Sequence, residues 1–419
     1  MATAHVVGGG VAGLSAAVHL AQAGWPVSLY ESAGQAGGRC RSYHDDQLDR
    51  RIDNGNHLLL SGNRSARRYL DIVGASDELL IADAAAFPFV DLTDDTRWTV
   101  RIGPGRIPFW MLSKANRVPG TVLKDYLDAM RLRRPGARTV GALFDQNRQM
   151  YRRFWDPLTV AVLNTETDAA AAELLWPVFQ ETILKGAEAS RPCIARRGLS
   201  ESFVDPAWAW LERRNSALRL NTRLREIVVG PRNVDQLVFA NETVSLGPKD
   251  HVVLAVPPNV AANLLPGLKP PDSFRPIVNA HFVTPDMPRL PQGAFLMGLV
   301  GSMAQWIFQR GDIISVTVSA GVEAQDMSQS RVLDQLWRDV CAALKTPHRP
   351  MPQARLITEK RATFAQTPEM LARRSTTTTE FGNLFLAGDW TATGLPATIE
   401  GAIRSGESAA ASIGRAPDT

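Results

Sequence analysis

The first thirty residues place an apolar run, a glycine-rich turn and a small-residue segment one after another. Residues 4–7 are mostly apolar and predict a buried strand, and the alanine-rich residues after Gly13 predict a helix. A second apolar run at 27–30 predicts a parallel strand that ends at Glu31. This order of strand, turn, helix and strand is typical of the first unit of a doubly wound α/β domain.

The middle of the chain follows other patterns. Residues 150–215, which include an alanine-rich run to Glu173, predict helices. From Leu218 onwards, short apolar and alternating runs predict strands, one of which, near 251–256, rejoins the parallel sheet. Later alternating runs predict an antiparallel sheet, interrupted by a helix over 328–344.

The end of the chain returns to the pattern of its beginning. An apolar strand is predicted at 383–387 and ends at Gly388-Asp389, before a small-residue loop and a helix over 399–413. A carboxylate at the carboxyl end of such a strand can bind ribose or ribityl hydroxyls. Both ends of the chain therefore carry turns of a cofactor-binding type.

These patterns predict an α/β protein in which a Rossmann-type, dinucleotide-binding domain carries an inserted substrate domain of antiparallel sheet and helices. The Rossmann-type domain is expected to comprise residues 1–86, 215–265 and 380–415. The substrate domain is expected to comprise residues 87–214 and 266–379.

Composition narrows the class of protein. The 419 residues are 45% hydrophobic. The 46 lysine and arginine residues barely outnumber the 42 aspartate and glutamate residues, and so small an excess of positive charge predicts no nucleic-acid partner. Cys40, Cys193 and Cys341 lie far apart and predict neither a disulfide framework nor a metal site. No apolar run reaches about eighteen residues, and the first strand starts near residue 4. We therefore expect no transmembrane helix, no leader peptide and a cytoplasmic protein, either free or on the cytoplasmic face of the membrane.

The turn after the first strand has the spacing of a dinucleotide-binding motif. Gly8 permits the tight turn, Gly10 lets a pyrophosphate approach the backbone, and Gly13 lets the helix pack on the strand. Val11 and Ala12 begin the helix, where unpaired N–H groups and the helix dipole favour an anion.

Three further features extend this motif. Glu31 has about the spacing expected of a carboxylate that binds a ribose hydroxyl. Gly37 and Gly38 allow close backbone approach, and Arg39 can place a planar cation on a pyrophosphate. The alternative for this segment is a solvated glycine-rich loop with a surface arginine.

A polar turn, Asp53-Asn54-Gly55-Asn56-His57, follows and leads into another apolar run. His57 and Asp53 are candidates for giving a proton to a substrate, because the turn lies close to the predicted cofactor. The alternatives are a hydrogen-bonded core histidine and an aspartate that stabilises its own turn.

Residues 120–134 form a second ambiguous segment. Val122, Leu123, Tyr126, Leu127 and Met130 recur at helical spacing, and the end of the segment is basic. The pattern predicts either a core-facing helix or a helix that docks on a membrane with anionic headgroups.

The motifs together resemble the flavin-containing amine oxidase and phytoene-desaturase superfamily. Four narrower stretches, at 53–57, 305–311, 359–365 and 394–401, are similar to its squalene-associated branch, the hydroxysqualene dehydroxylases of bacterial hopanoid synthesis. The chain departs from that branch at Asn56, where Gln is usual, and at Gln309, where Asp is usual.

The resemblance implies FAD as cofactor, which we expect to be noncovalent because no lysine or cysteine can be assigned as an anchor. In this family Leu224 matches the position whose backbone holds the adenine. The full set of expected cofactor-binding residues is Gly8, Gly10, Val11, Ala12, Gly13, Glu31, Gly38, Arg39, Asn54, Gly55, Asn56, Leu224, Gly388, Asp389, Thr398 and Ile399.

The resemblance also implies that hydroxysqualene is reduced to squalene, with hydride from reduced FAD and a proton for the leaving hydroxyl. His57 and Asp53 are the first candidates for the proton donor, and Glu400 and Asp389 follow. An apolar tunnel would exclude water, and its candidate lining residues, most of them equally suited to an ordinary core, are Phe109, Trp110, Trp155, Trp306, Phe308 and Pro396.

Two other functions stay open at this stage. One is a carotenoid-type desaturase or an amine oxidase with the same cofactor, and the other is a non-enzymatic prenyl-lipid-binding protein of the same fold. The expected partners are a lipophilic isoprenoid substrate, a membrane surface and other enzymes of squalene synthesis.

Overall fold

The chain begins and ends in one parallel sheet. Within residues 2–105, 107–347 and 349–416, which the computed structural model describes, the strands are β1 (Ala4–Val7), β2 (Val27–Tyr30), β3 (Ser42–Asp45), β4 (Arg50–Asp53), β5 (Leu59–Leu60), β6 (Leu79–Ile81), β7 (Ala86–Asp91), β8 (Thr96–Arg101), β9 (Pro192–Ala195), β10 (Ala217–Arg219), β11 (Leu224–Val229), β12 (Val234–Phe239), β13 (Thr243–Ser245), β14 (His251–Leu254), β15 (Phe274–Val283), β16 (Leu296–Val300), β17 (Trp306–Arg310), β18 (Ile313–Ser319), β19 (Ala354–Phe364) and β20 (Leu384–Leu386). The α-helices are α1 (Val11–Gln22), α2 (Arg64–Val73), α3 (Leu123–Leu127), α4 (Val140–Leu143), α5 (Asp156–Leu163), α6 (Leu175–Glu181), α7 (Ala187–Ser190), α8 (Asp205–Glu212), α9 (Pro258–Leu264), α10 (Val322–Gln325), α11 (Gln329–Ala343), α12 (Pro368–Ala372) and α13 (Ile399–Ile413).

The parallel sheet has the strand order β10-β2-β1-β14-β20. At its centre, Val6 of β1 lies opposite Leu29 of β2 on one side and Val253 of β14 on the other. All three side chains are fully buried, because a parallel sheet is covered on both faces. The predicted α/β fold class is confirmed.

Helix α13 packs along α1 and so joins the two ends of the chain. Gly406 lies so close to α1 that a Cβ atom there would be 2.2 Å from the carbonyl oxygen of Ala12. The Ser15 hydroxyl donates a hydrogen bond to the carbonyl oxygen of Ile403 over 2.8 Å. The helix predicted over 399–413 is confirmed at both of its ends.

A seven-stranded sheet, in the order β19-β15-β18-β17-β16-β7-β8, forms the second large layer. Its neighbours run antiparallel except for β16 and β7. Val278 and Phe282 on one face of β15 belong to an apolar cluster with α11. Because side chains alternate along a strand, Asn279 and His281 lie on the opposite face. That polar face looks toward the Asp53–His57 turn, and it becomes part of the site described below.

The alanine-rich run to Glu173 is not an α-helix, and here the prediction was wrong: only Ala172 and Glu173 are helical, in a short 3₁₀ turn. Helix α5 ends because Asn164 adopts a left-handed conformation with φ of 45°. The Asn164 amide oxygen accepts a hydrogen bond from the Ala320 backbone N–H (2.6 Å), and its nitrogen donates to Thr363 Oγ1 (3.0 Å). These tertiary hydrogen bonds outweigh the helix propensity of alanine.

The segment over 120–134 is a short helix, α3, followed by a 3₁₀ turn at Asp128–Arg133. Tyr126 faces the core, where its hydroxyl accepts a hydrogen bond from the Val118 N–H (2.8 Å). Val122, Leu127 and Met130 are instead 48–63% exposed. The helical apolar spacing therefore does not describe a core-facing helix. In the described part of the chain no helix is long and apolar enough to cross a membrane.

Residues 199–211 pack with the parallel sheet rather than with the second layer. Phe203, Ala207 and Leu211 are fully buried in the same apolar cluster as α1. This packing differs from the predicted division at residue 214, because the apolar side of α8 has its partner on α1. The division of the chain into two domains otherwise stays a prediction.

Candidate cofactor and active site

The turn between β1 and α1 is shaped by contacts that only glycine allows. Gly8 has φ of 110°, and a Cβ there would be 2.3 Å from the Ala255 carbonyl oxygen. At Gly13 a Cβ would be 1.9 Å from the carbonyl oxygen of Gly8. At Gly10, by contrast, no described atom lies within 4 Å of the Cβ position. The space beside Gly10 at the start of α1 is thus open to a ligand.

This open space has the properties of an anion site. Gly10 is the N-cap of α1, and no side chain caps the helix there. The first turn of α1, which includes Val11 and Ala12, also holds no acidic residue. The N–H groups of this turn therefore point at the space beside Gly10, where they favour a pyrophosphate.

Glu31 lies beside this turn, at the carboxyl end of β2. One carboxylate oxygen accepts a hydrogen bond from the Gly9 N–H and the other from the Ala33 N–H, each over 2.7 Å. The side chain is therefore fixed next to the glycine motif. A carboxylate held there is suited to ribose hydroxyls, as the spacing predicts.

The two ends of the chain meet at Arg39 and Asp389. The Arg39 guanidinium donates a hydrogen bond to Asp389 Oδ1 over 2.8 Å, and it also contacts the carbonyl oxygen of Ala362. Gly38 brings Arg39 to this point with φ of 58°, and its own Cβ position is 3.5 Å from the Gly10 Cα. The structure thus gathers Gly10, Gly38, Arg39 and Asp389 at one place.

The loop after Asp389 is held by Arg374, a residue that the sequence does not single out. Its guanidinium donates to the carbonyl oxygens of Leu395 (2.7 Å) and Asp389 (3.0 Å) and to Thr393 Oγ1 (2.9 Å). Burial lowers the pKa of Arg374 to about 10, so it still carries its charge at neutral pH. No local pattern distinguishes Arg374 from the neighbouring Arg373.

Several predicted cofactor residues surround this loop. Thr398 is the N-cap of α13, and its hydroxyl accepts a hydrogen bond from the Gly401 N–H (3.1 Å). Ile399 and Pro396 are buried beside it, and Gly388 has φ of 152°. Their direct contacts with FAD stay predictions.

The predicted adenine position lies elsewhere, at the start of β11. The Leu224 side chain is buried in an apolar cluster that also includes Tyr30 and Phe239. The backbone contact that the family resemblance implies for Leu224 stays a prediction.

Asp53 is surrounded by donors. One carboxylate oxygen accepts from Ser42 Oγ (2.6 Å) and from the Leu199 N–H (2.9 Å), and the other accepts from the Arg310 guanidinium (2.8 Å). These donors occupy both oxygens of the carboxylate. These contacts weigh against Asp53 as a proton donor and favour a role in holding the turn.

The rest of the turn faces the polar side of the seven-stranded sheet. Asn54 donates to Glu359 Oε2 (3.3 Å), and Asn56 donates to Asn279 Oδ1 (3.3 Å) and Thr317 Oγ1 (3.0 Å). A Cβ on Gly55 would be 3.3 Å from the Asn279 amide nitrogen. The turn is therefore held against β15 and β18 by side-chain amides.

His57 borders a small cavity next to this turn. The polar residues around the cavity are Asp53, Asn56, His57, His281, Arg310 and Ser315, and the apolar ones are Ile52, Ile194, Ala195, Leu199, Phe308 and Ile313. Desolvation by the surrounding protein lowers the pKa of His57 to about 4. The imidazole is therefore neutral at neutral pH and serves better as a hydrogen-bonding group than as a charged acid.

Glu400 and Asp389, the further acid candidates, are occupied by other contacts. Glu400 is buried and accepts hydrogen bonds from the Ser65 N–H (3.0 Å) and the Ala66 N–H (2.8 Å), so it caps α2. It also pairs with Arg404 (2.9 Å). Glu400 lies on α13 and thus caps a neighbouring helix that packs against its own.

The predicted lining residues fall in different places. Phe308 borders the cavity beside His57. Trp155 is fully buried between Phe144 and Phe179, with ring centroids 4.1 and 5.7 Å away. Trp306 is buried edge-on against Phe89. Trp155 and Trp306 therefore have the contacts of core residues.

Two other lining candidates lie toward the surface. Phe109 is 66% exposed, and Trp110 packs edge-on against Tyr126.

Gln309 lies on the side of β17 that faces away from the cavity, where its amide oxygen accepts a hydrogen bond from the Leu290 N–H (2.9 Å). The Gln309 side chain therefore supports a loop rather than a substrate.

The parallel sheet, the open anion site at Gly10 and the Arg39–Asp389 pair fit FAD. They define the protein as an FAD-dependent oxidoreductase. The sequence model of the family described as flavin containing amine oxidoreductase matches residues 11–414.

Relatives and solved structures agree with this class. The chain is 46% identical to a hydroxysqualene dehydroxylase of Sinorhizobium fredii over 97% of each chain, and 42% identical to one of Zymomonas mobilis over 98% of each. The cyclohexylamine oxidase of Brevibacterium oxydans has a similar fold, with a TM-score of 0.72 at 14% identity over 98% of each chain. The chain belongs to the hydroxysqualene dehydroxylases, within the flavin containing amine oxidoreductase family.

Proposed function

We propose that the protein reduces hydroxysqualene to squalene. The observation that carries the proposal is the cavity beside His57, where hydrogen-bonding groups and apolar walls meet next to the turn predicted to contact FAD. An isoprenoid alcohol needs both kinds of surface, because it carries one hydroxyl on a long hydrocarbon. The near full-length similarity to hydroxysqualene dehydroxylases supports the same substrate.

The chain's own residues would hold the cofactor and shape the reaction. Gly10 and the start of α1, with Arg39, would bind the pyrophosphate, while Glu31 and Asp389 would bind ribose and ribityl hydroxyls. When bound in its reduced form, FAD supplies the hydride for the carbon that loses its hydroxyl as water. The apolar wall, with Phe308, would keep other water away.

An anaerobic single-turnover experiment tests the proposal. The purified protein, with its FAD reduced by dithionite, is mixed with hydroxysqualene, and the flavin absorbance and lipid products are followed. We expect reoxidation of the flavin together with stoichiometric squalene. A desaturase or amine oxidase would leave the reduced flavin unchanged, and protein isolated without flavin would favour a lipid-binding function.

We also propose that the protein docks on an anionic membrane. An apolar patch, defined here as Ile107, Phe109, Leu112, Val122, Leu123, Leu127 and Met130, lies exposed in a single stretch of the chain. Exposed basic side chains surround it in the sequence: Lys114, Lys124, Arg131, Arg133, Arg134 and Arg138. Apolar side chains beside basic ones suit the interface of an anionic bilayer, from which a lipophilic substrate could enter.

Replacing Phe109 and Leu127 together with serine is expected to weaken membrane binding by at least about tenfold, because two large side chains would no longer enter the bilayer. The measurement is co-sedimentation with phosphatidylcholine vesicles that contain or lack phosphatidylglycerol. Val322→Ser is the matched control, since Val322 is 43% exposed outside the apolar patch. Equal binding of the wild type and both variants would contradict the proposed surface. So would binding to vesicles that lack phosphatidylglycerol, if that binding is not weakened by salt.

A further inference from the structure

The cavity beside His57 contains a histidine that neither the sequence motifs nor the cofactor explains. His281 is 1% exposed and lies on the polar face of β15. Its Nδ1 is 2.7 Å from Ser315 Oγ, so one ring nitrogen has a partner. Its Nε2 is buried and has no hydrogen-bond partner among the described residues.

An unpartnered buried nitrogen calls for a ligand. Leaving such a group without a hydrogen bond costs about 1–3 kcal/mol, so most buried polar groups are paired. Most other polar groups around the cavity have protein partners, since Arg310 pairs with Asp53 and Asn56 donates to Thr317. The exception is His57, whose ring makes no hydrogen bond with the described residues. The free hydrogen-bonding capacity of the cavity thus lies at its two histidines, and only at His281 is the unpartnered ring nitrogen fully buried.

The cavity is also of the right size for a small polar group. Its volume is about 30 Å³, which accommodates one or two water-sized groups but is too small for a hydrocarbon chain. Phe308 and Ile313 border the same space and would contact the carbon next to such a group. The space therefore suits a hydroxyl on an apolar chain.

We infer that this cavity is the subsite for the hydroxyl of the substrate and that His281 is the residue that distinguishes the alcohol from its hydrocarbon product. The inference rests on the proposed function. The His281 Nε2 forms a hydrogen bond with the hydroxyl oxygen before the C–O bond breaks. Once that oxygen has left as water, squalene offers the cavity no polar atom, and the product loses this contact.

The electrostatics of the cavity agree with this role. Burial lowers the pKa of His281 to about 4, as it does for His57. Both imidazoles are neutral at neutral pH, and each has one nitrogen that donates and one that accepts. A neutral ring suits a neutral alcohol, whereas a charged ring would favour an anion.

Binding to the oxidised holoenzyme tests the inference without turnover. Hydroxysqualene and squalene, delivered in detergent micelles, are titrated against the protein while the flavin absorbance is followed. We expect the wild type to bind the alcohol about tenfold more tightly than the hydrocarbon, which corresponds to one hydrogen bond. In His281→Leu the ratio falls to about one through loss of alcohol affinity, while squalene affinity is retained.

Three variants make the result specific. His281→Gln keeps a polar side chain and is expected to retain most of the preference, and Ser315→Ala, which removes the partner of Nδ1, is expected to reduce it. His44→Ala replaces an exposed histidine on β3 and should leave the ratio unchanged. If His281→Leu retains no flavin, the Ser315→Ala ratio decides the question.

The outcomes separate this inference from the proposed function. If His281→Leu leaves the ratio of alcohol to hydrocarbon affinity unchanged, the inference is overturned, even if the wild type forms squalene. Where His281→Leu retains no flavin, an unchanged ratio in Ser315→Ala has the same consequence. A wild type that shows no preference for the alcohol overturns it as well. If the reduced wild type forms no squalene but its alcohol preference depends on His281, the subsite stands and the proposed function fails.

Discussion

Gly10→Ala is expected to give a folded protein that has lost its FAD. The Cβ of alanine would meet no described protein atom within 4 Å, and Gly10 has φ of −70° and ψ of 171°, which alanine tolerates. The methyl group would instead fill the open space at the start of α1, where the pyrophosphate is expected. We expect FAD affinity to fall by roughly 100-fold or more, because both the close approach and the helix N–H contacts are lost.

The measurement is the flavin absorbance of the purified protein, followed by titration of the apoprotein with FAD. The thermal midpoint of the apoprotein should match that of the wild type. Gly13→Ala is the informative contrast, because its Cβ would be 1.9 Å from the Gly8 carbonyl oxygen. That variant should be unstable even without FAD. A Gly10→Ala protein that binds FAD as tightly as the wild type would show that the cofactor lies elsewhere.

Asp53→Ala is expected to lower the free energy of unfolding by about 3 kcal/mol. The substitution leaves Arg310, Ser42 and the Leu199 N–H without their shared acceptor in a largely buried place. Breaking a buried ion pair typically costs about 3–5 kcal/mol, and the lower end applies because the Arg310 side chain is 28% exposed. Urea denaturation of the apoprotein measures the effect.

A second ion pair nearby supplies the matched control. Asp312 pairs with Arg50 over 3.0 Å, but both side chains are more than a third exposed. Asp312→Ala should therefore cost less than about 1 kcal/mol. Equal losses in the two variants would contradict the structural role of Asp53. A stable Asp53→Ala protein that holds FAD but forms no squalene would make Asp53 a candidate proton donor again.

The cofactor half of the site was accessible from the sequence because its requirements are local. Gly8, Gly10 and Gly13 must follow a strand at a fixed spacing, and Glu31 must end the next strand. The meeting of Arg39 with Asp389 is not local, but each residue lies in its own recognisable turn. Once a parallel sheet is predicted, the turn with Arg39 and the turn with Asp389 are expected at the same edge of it, because the carboxyl ends of parallel strands meet there.

The polar side of the site could not be predicted, because it depends on pairing between distant strands. Alternation along β15 indicates that every second residue faces one way, but it does not show that Asn279 and His281 face the Asp53–His57 turn. Arg374 presents the same difficulty, since its partners lie in a loop fifteen to twenty-one residues away. Nothing local tells such a buried arginine from a surface one.

Aromatic residues were ambiguous for a related reason. Trp155 and Phe109 both lie in apolar stretches of similar appearance, yet one is fully buried and the other is 66% exposed. Burial depends on whether another element supplies a partner, as Phe144 and Phe179 do for Trp155. The sequence left both alternatives open at each position, and tertiary packing separates them.

The joining of the chain ends by α1 and α13 has a consequence for synthesis on the ribosome. The glycine turn emerges long before β20 and α13, so its sheet gains β20 and its helix gains α13 only after the whole intervening chain has been made. Until then Arg39 lacks Asp389, and one flank of α1 is bare apolar surface that a chaperone would have to shield. FAD capture is therefore expected to be a late event in the life of the nascent chain, and a premature stop before α13 should yield colourless, aggregating protein.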